Sequence, residues 1–358
     1  MNISNTGKRL LYVGIRVDIA KGGADQVNMR NQNILEKIFP DRVDYIENMH
    51  VPTTYAEKIL LGINDDYLHQ VSASLSTGKY GLVFICQSLY GRMARHIKKQ
   101  YPSIKILTFF HNVEIQYAKS YYKTRGIKAL PFLLSVKYWE NICVKYSDYL
   151  ITLNSRDSNL LYQIYKRHSD LELPTTFEDK YDESKALLYS QKNDITIDYL
   201  FVGVSFFANI HGIQWFIDNV MPRCDGQLWV VGKGMDKITF NNLNNRIHII
   251  GYVNDLAEYY YRAKCVVLPI FTGGGMKTKT AEALMYGKTI IGTPESFEGY
   301  IVDERCMITC SDKISFIQSI NKMYQKDIQN NYSRELFRKH YSHSQAYKSL
   351  SDFINGLR

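Results

Sequence analysis

No stretch of the sequence approaches the roughly 20 consecutive apolar residues that a membrane-spanning helix needs, so none is expected. The first residues, MNISNTGKRLLYVGI, pass directly into a strand-like run without a secretory leader, and a cytoplasmic protein is expected. The six cysteines (Cys86, Cys143, Cys224, Cys265, Cys306, Cys310) form no C-x-x-C pair and sit mostly in apolar runs. That pattern argues against a disulfide frame or zinc site and for reduced, buried thiols. The chain has no D-x-D, no H-E-x-x-H, no G-x-S-x-G and no P-loop lysine motif. These absences remove the common metal-dependent and serine-hydrolase readings, and no metal site is expected. Gly232-Lys233-Gly234 has Lys237 where the third glycine of a dinucleotide fingerprint would fall, which leaves a dehydrogenase poorly supported.

What is present suits two globular domains. The chain has 358 residues, with 45% hydrophobic and 22% charged, ordinary proportions for a folded protein too long for one core. A formal charge of +9 points to an anionic partner, whether nucleotide, nucleic acid or lipid surface. The basic residues are spread over both halves rather than gathered on one reading element, which argues against nucleic acid. The 28 tyrosines suit a membrane interface or a sugar platform, and equally a lysine- and tyrosine-rich genome.

Short β-rich runs alternate with helical segments. They fall at 9–15, 80–87, 105–112 and 149–154, and then at 198–204, 227–232, 246–253, 264–271, 288–293 and 306–309. Continuous apolar strands between helices predict parallel sheets covered on both faces. Two such series predict an α/β protein with two doubly wound, Rossmann-like domains. The polar segment 171–194 is the expected seam, with an N-terminal domain over 1–180 and a C-terminal domain over 195–339. The final stretch 333–358 reads as helix, and from about residue 340 it is expected to return to the first domain.

The segment from Pro269 to Gly299 is the most informative. A strand-like run is followed by Gly273, Gly274 and Gly275, then Met276, Lys277 and Lys279, with Glu282 three residues further on the same helical face. Glycines at a strand-to-helix turn let backbone N–H groups approach an anion, and the helix dipole favours it there. A carboxylate one turn on can accept from ribose hydroxyls. These residues suit a nucleotide-diphosphate site; a glycine-rich turn with a solvated lysine face accounts for them equally.

Three further pieces stand out. Gly22 and Gly23 precede a helical stretch from Asn28 to Phe39, and a plain tight turn explains them as well as an anion site does. His111-Asn112 ends a strand, where ligands of open parallel sheets gather, so the imidazole can donate to a substrate hydroxyl or act in acid–base work. From Tyr117 to Tyr146 the chain is basic and aromatic (Lys119, Lys123, Arg125, Lys128, Phe132, Trp139 among others). It can face an anionic membrane or a lipid-linked acceptor, or form core-packed helices with snorkelling lysines.

Assembled, the chain resembles a GT-B glycosyltransferase of the large family-4 type, retaining and metal-independent. The resemblance spans nearly the whole length and is strongest in the second half. It rests there on Pro269, Gly273 to Gly275, Lys277, Lys279, Glu282-Ala283, Gly287-Lys288 and Thr293-Pro294. Gly203 and Asn209 match the opening of the donor domain in one subgroup, and Gly251 to Leu256 the segment facing the base. In the first half, Gly22-Gly23 matches the acceptor-side loop, His111-Asn112 the cleft histidine, and Ser147-Asp148 with Ser155 a paired signature.

The resemblance implies two Rossmann-like domains facing across a cleft. It implies a nucleotide-diphosphate sugar, UDP-sugar first among them, as donor substrate with no other cofactor and no metal. Gly203, Lys233, Tyr252, Val253, Gly273, Gly274, Gly275, Met276, Lys277 and Glu282 would then bind the donor. Lys279 would neutralise the leaving diphosphate, and His111 would orient the sugar or line the acceptor side. The acceptor would be a saccharide or lipid-linked saccharide of bacterial surface polysaccharide synthesis, with the protein cytoplasmic or peripheral at the inner membrane face. The family often carries two glutamates separated by seven residues, and the first of them falls here on Gly274. A non-catalytic partner subunit or sugar-nucleotide-binding module of the same fold is therefore the alternative.

Overall fold

A computed structural model describes residues 7–19, 23–48, 52–191, 197–273, 275–323 and 329–357. The chain divides into two compact units, one formed by Met1–Pro174 with Ala346–Arg358 and the other by Thr175–Gln345. The division after Pro174 falls inside the expected seam 171–194, whose first residues belong to the first unit and the rest to the second.

The first unit is built on β1 (Arg9–Val13), β2 (Val43–Ile46), β3 (Tyr80–Ile85), β4 (Lys105–Phe110), β5 (Tyr149–Thr152) and β6 (Leu171–Glu172). They form one parallel sheet in the order β2-β1-β3-β4-β5-β6. Strands such as YGLVFI and KILTFF are almost continuously buried, because helices cover both faces. One face packs Leu11, Val83 and Ile85 against Val71, Met93 and Ile97. Residues from Ala346 onward group with this unit, and Phe353 meets the ring of Tyr149 edge-on at 5.7 Å.

The second unit holds β7 (Ile197–Val202), β8 (Leu228–Val231), β9 (Ile247–Ile250), β10 (Ala263–Leu268), β11 (Thr289–Gly292) and β12 (Met307–Thr309). Its sheet is also parallel, in the order β12-β11-β10-β7-β8-β9. Strand order reverses between β7 and β10, and that switch point is where open α/β sheets bind ligands, beyond the carboxyl ends of the strands.

The expected seam at 171–194 also carries β6 and a helix, Glu183–Gln191. Two local expectations are corrected. The first-unit helix begins at Gly23 rather than Asn28. The last segment is not one helix, since Asn331–Leu336 passes through a wide π turn at Phe337–Tyr341 before the helix His343–Gly356. All six cysteines are buried and free.

Candidate active site

In the second unit the carboxyl ends of neighbouring strands bring most of the singled-out donor residues to one edge of the sheet. Gly203 follows β7, Lys233 follows β8, Tyr252 and Val253 follow β9, and Gly273 with Gly275 to Lys277 follow β10. The backbones of the first two loops are nearly in contact. A Cβ on Gly232 would lie 2.0 Å from the Gly203 carbonyl oxygen, so only glycine fits there.

The loop after β10 is held from beneath by the Thr-Pro turn that follows β11. The buried Thr293 hydroxyl donates to the Ile270 carbonyl, and Ser296 Oγ donates to the Leu268 carbonyl at 2.5 Å. Thr280 Oγ1 donates to the Ser296 carbonyl at 2.8 Å, tying the following helix to the same turn. These hydroxyls replace the backbone partners that a loop leaving a sheet loses. Gly275 sits at φ 66°, in the left-handed region where glycine is favoured. The helix Thr278–Met285 begins three residues beyond Gly275, so the glycines form the approach to the helix rather than its tip. Gly274 lies outside the described residues.

The two lysines of this region do different things. Lys277 Nζ is ion-paired with Glu295 Oε1 at 2.6 Å and also donates to the Gly275 carbonyl at 2.9 Å. Its charge is thus already neutralised, and Gly273 packs over the pair. Lys279 Nζ instead donates to Asn209 Oδ1 at 2.5 Å and stands 4.6 Å from the centre of the Phe201 ring. Asn209 in turn donates to the Val204 carbonyl at 2.8 Å, which fixes its amide with the oxygen toward the lysine. A Cβ on Gly203 would lie 3.0 Å from Lys279 Nζ, so the ammonium rests directly on the switch-point glycine.

Burial lowers the Lys279 ammonium to about 7, with Lys277 adding to the effect and Glu282 opposing it. Burial raises the Glu282 carboxyl to about 7 despite the phenol of Tyr260, whose hydroxyl lies 3.4 Å from Oε2. Both groups are therefore held near neutrality by burial, which makes them candidates for a functional site. Met276 is buried, Lys233 is exposed, and Tyr252 is 70% exposed while Val253 is half-buried.

In the first unit, His111 leaves the end of β4 and its Nε2 donates to Asn28 Oδ1 at 2.9 Å. Burial and the nearby Arg30 charge lower the imidazole to about 4, so it is neutral at physiological pH. It therefore carries no charge and has a single N–H, the one given to Asn28. Gly22 lies outside the described residues; Gly23 opens the helix that carries Asn28 and Arg30.

Sequence reading missed a buried carboxylate at the start of the helix that follows His111. Fully buried Glu140 accepts from Glu114 N at 2.7 Å, Ile115 N at 3.2 Å, Ser88 Oγ at 3.0 Å and Tyr165 Oη at 2.7 Å. It caps the helix Glu114–Arg125, which has no cap of its own at Val113. Among the described residues no group of three or more His, Cys, Asp or Glu side chains is placed to hold a metal ion.

Residues 196–326, within the second half, match the family described as Glycosyl transferases group 1. No curated protein matches the chain by sequence. Several solved structures are similar over nearly the full length. The crystal structure of Anabaena HepE in complex with UDP is 12% identical, with 98% of this chain and 100% of that one covered at a TM-score of 0.68. The apo form of the lipopolysaccharide outer core galactosyltransferase WaaB is 13% identical, with 97% and 99% covered at 0.66. A glycosyltransferase from Rickettsia africae is 14% identical, with 97% and 98% covered at 0.64. At these identities the likeness establishes the fold, which is GT-B.

Proposed function

We propose that the chain is a glycosyltransferase that moves a sugar, a hexose, from a nucleotide-diphosphate sugar to a saccharide or lipid-linked saccharide. One observation carries the reading. Within the segment that matches the glycosyltransferase family, Lys279 presents a largely desolvated ammonium on Gly203, oriented by Asn209, at the switch point of a doubly wound sheet. HepE is solved with UDP, which makes a UDP-sugar the first donor to test.

The chemistry follows from charge. As the bond from the anomeric carbon to the phosphate oxygen breaks, its electron pair collects on the diphosphate. Lys279 is already in place to offset that charge, so no reorganisation is required at the moment of reaction. The acceptor hydroxyl oxygen forms the new bond to the anomeric carbon, and its proton passes to the departing phosphate oxygen. Attack and departure on one face give retention, and no protein nucleophile is needed. Lys277, neutralised by Glu295, shapes the glycine loop rather than adding free positive charge. Glu282 accepts from the ribose, and neutral His111 lines the acceptor side. In this reading the ammonium does the work that a divalent cation performs elsewhere, and the reaction proceeds without one.

Among the described residues no helix is long and apolar enough to cross a membrane. In this reading a lipid-linked acceptor is met by peripheral contact from the cytoplasmic side, in bacterial surface polysaccharide synthesis. The second reading, a sugar-nucleotide-binding module without turnover, draws on Gly274 standing where relatives often carry a glutamate. A nucleotide-sugar panel scored for release of nucleoside diphosphate separates the two. Release from one donor supports the enzyme; tight binding with no release from any donor supports the module.

A further inference from the structure

We propose that an apolar groove in the first unit holds the hydrocarbon chain of a lipid-linked acceptor, with Lys58 and Lys128 meeting its phosphate. The groove has a volume of about 600 Å³ and is lined chiefly by Tyr55, Ile59, Leu89, Tyr117, Tyr121 and Phe132, with the two lysines among its walls. This deepens the glycosyltransferase reading and rests on it for the identity of the acceptor.

Its position is set by topology. The short helix Tyr55–Ile59 follows the carboxyl end of β2, and Leu89 follows that of β3. The helices Glu114–Arg125 and Leu130–Tyr146 follow that of β4, as His111 does. Every wall therefore lies on the side where a parallel sheet receives ligands. The walls are also fixed in place. Thr54 and Glu57 form a reciprocal capping box at the start of the short helix. Trp139 Nε1 donates to the Ile59 carbonyl at 2.9 Å, and Glu140 caps the helix that bears Tyr117 and Tyr121. The Phe132 ring meets Tyr117 and Tyr121 edge-on at 6.5 and 5.8 Å, making a continuous aromatic wall.

A bound hydrocarbon fits this lining better than a peptide or a bilayer does. Tyr55 and Tyr117 are 65% and 60% exposed, which leaves apolar surface open to water on a rigid frame. A peptide added as a strand would need a sheet edge for its backbone, and no lining residue of the groove lies on a strand. A hydrocarbon chain can fill a recess of this volume, which a flat bilayer surface would leave empty. The exposed ammonium groups of Lys58 and Lys128 give the groove a positive rim that complements a phosphate head.

The test is calorimetric titration of the full chain with dodecyl phosphate below its micelle concentration and with dodecanol, both without donor. Saturable binding of dodecyl phosphate is expected. Tyr117→Asp should weaken it about tenfold, as should the milder Tyr117→Ser, which guards against misfolding. Lys128→Glu should weaken dodecyl phosphate and leave dodecanol unchanged. Absence of saturable binding, or affinities untouched by all three substitutions, overturns the proposal. So does binding to phosphatidylglycerol vesicles that these variants weaken while monomeric dodecyl phosphate is not bound, since the surface would then be a bilayer face. Binding without turnover of any nucleotide sugar keeps the groove and removes the glycosyltransferase reading; turnover without binding does the reverse.

Discussion

Replacing Lys279 by Met keeps the length of the side chain and removes its charge, which isolates the interaction on which the donor site depends. Two unit charges about 4 Å apart attract by about 4 kcal/mol at the effective dielectric of a protein surface. Part of that is lost in desolvating the phosphate, and a charge-assisted hydrogen bond nets about 1.5–3 kcal/mol. Lys279→Met should therefore weaken UDP binding roughly 10- to 150-fold by calorimetry. A pH series sharpens the test. The folded-state ammonium titrates near 7, below its ordinary value, because burial favours the neutral amine. The anion binds the protonated form, so affinity is fully present below pH 7. Above it each unit costs about 1.36 kcal/mol, up to tenfold in Kd, until the raised pKa of the bound state is reached. Binding at pH 8 should take up a proton, visible as a dependence of the heat on buffer ionisation. Glu282 gains negative charge over the same range, so Glu282→Gln should flatten part of the slope and Lys279→Met most of it. Equal Kd values and equal pH slopes for Lys279→Met and the parent would refute the reasoning.

Other substitutions probe the frame around that lysine. Gly203→Ala places a Cβ 2.9 Å from Asn209 Nδ2 and 3.0 Å from Lys279 Nζ, and should weaken UDP binding while far-UV circular dichroism stays unchanged. Thr293→Val leaves the Ile270 carbonyl without the hydroxyl that now bonds it, and should cost about 1–3 kcal/mol in urea unfolding. Burial and the Glu140 charge raise the Glu114 carboxyl to about 7. Its contribution to stability is thus fully present below the unfolded value of 4.5 and is lost as pH rises through 7, a trend that Glu114→Gln should remove from urea midpoints measured between pH 4.5 and 8. Donor turnover should persist in excess EDTA; its loss, restored by magnesium or manganese, would contradict a lysine acting in place of a metal.

The layout of the sheets was legible because ten of the twelve strands are apolar runs with turn residues at their ends. The two that escaped, β2 and β6, are edge strands. VDYI is only half-buried along its length, and Leu171–Glu172 is too short to show a pattern. The helix Glu183–Gln191 escaped for a related reason: Leu187 and Leu188 are exposed, so no apolar face marks it. The glycine loop and its lysines could be picked out as candidates, but not their division of labour. Glu295 reaches Lys277 from 18 positions away and Asn209 reaches Lys279 from 70 positions away, distances over which sequence spacing is mute. The same holds for Glu140. A lone carboxylate in an aromatic helix reads as a solvated face, and only folding shows the four donors that surround it.

The most direct test of the central claim is release of nucleoside diphosphate from a panel of UDP- and GDP-sugars by the parent chain and by Lys279→Met, with hydrolysis accepted as turnover. The account predicts release from at least one donor, a UDP-sugar first, and a loss of about a hundredfold or more in the variant. Release that survives the substitution intact, or a folded parent chain that turns over no donor, would contradict it.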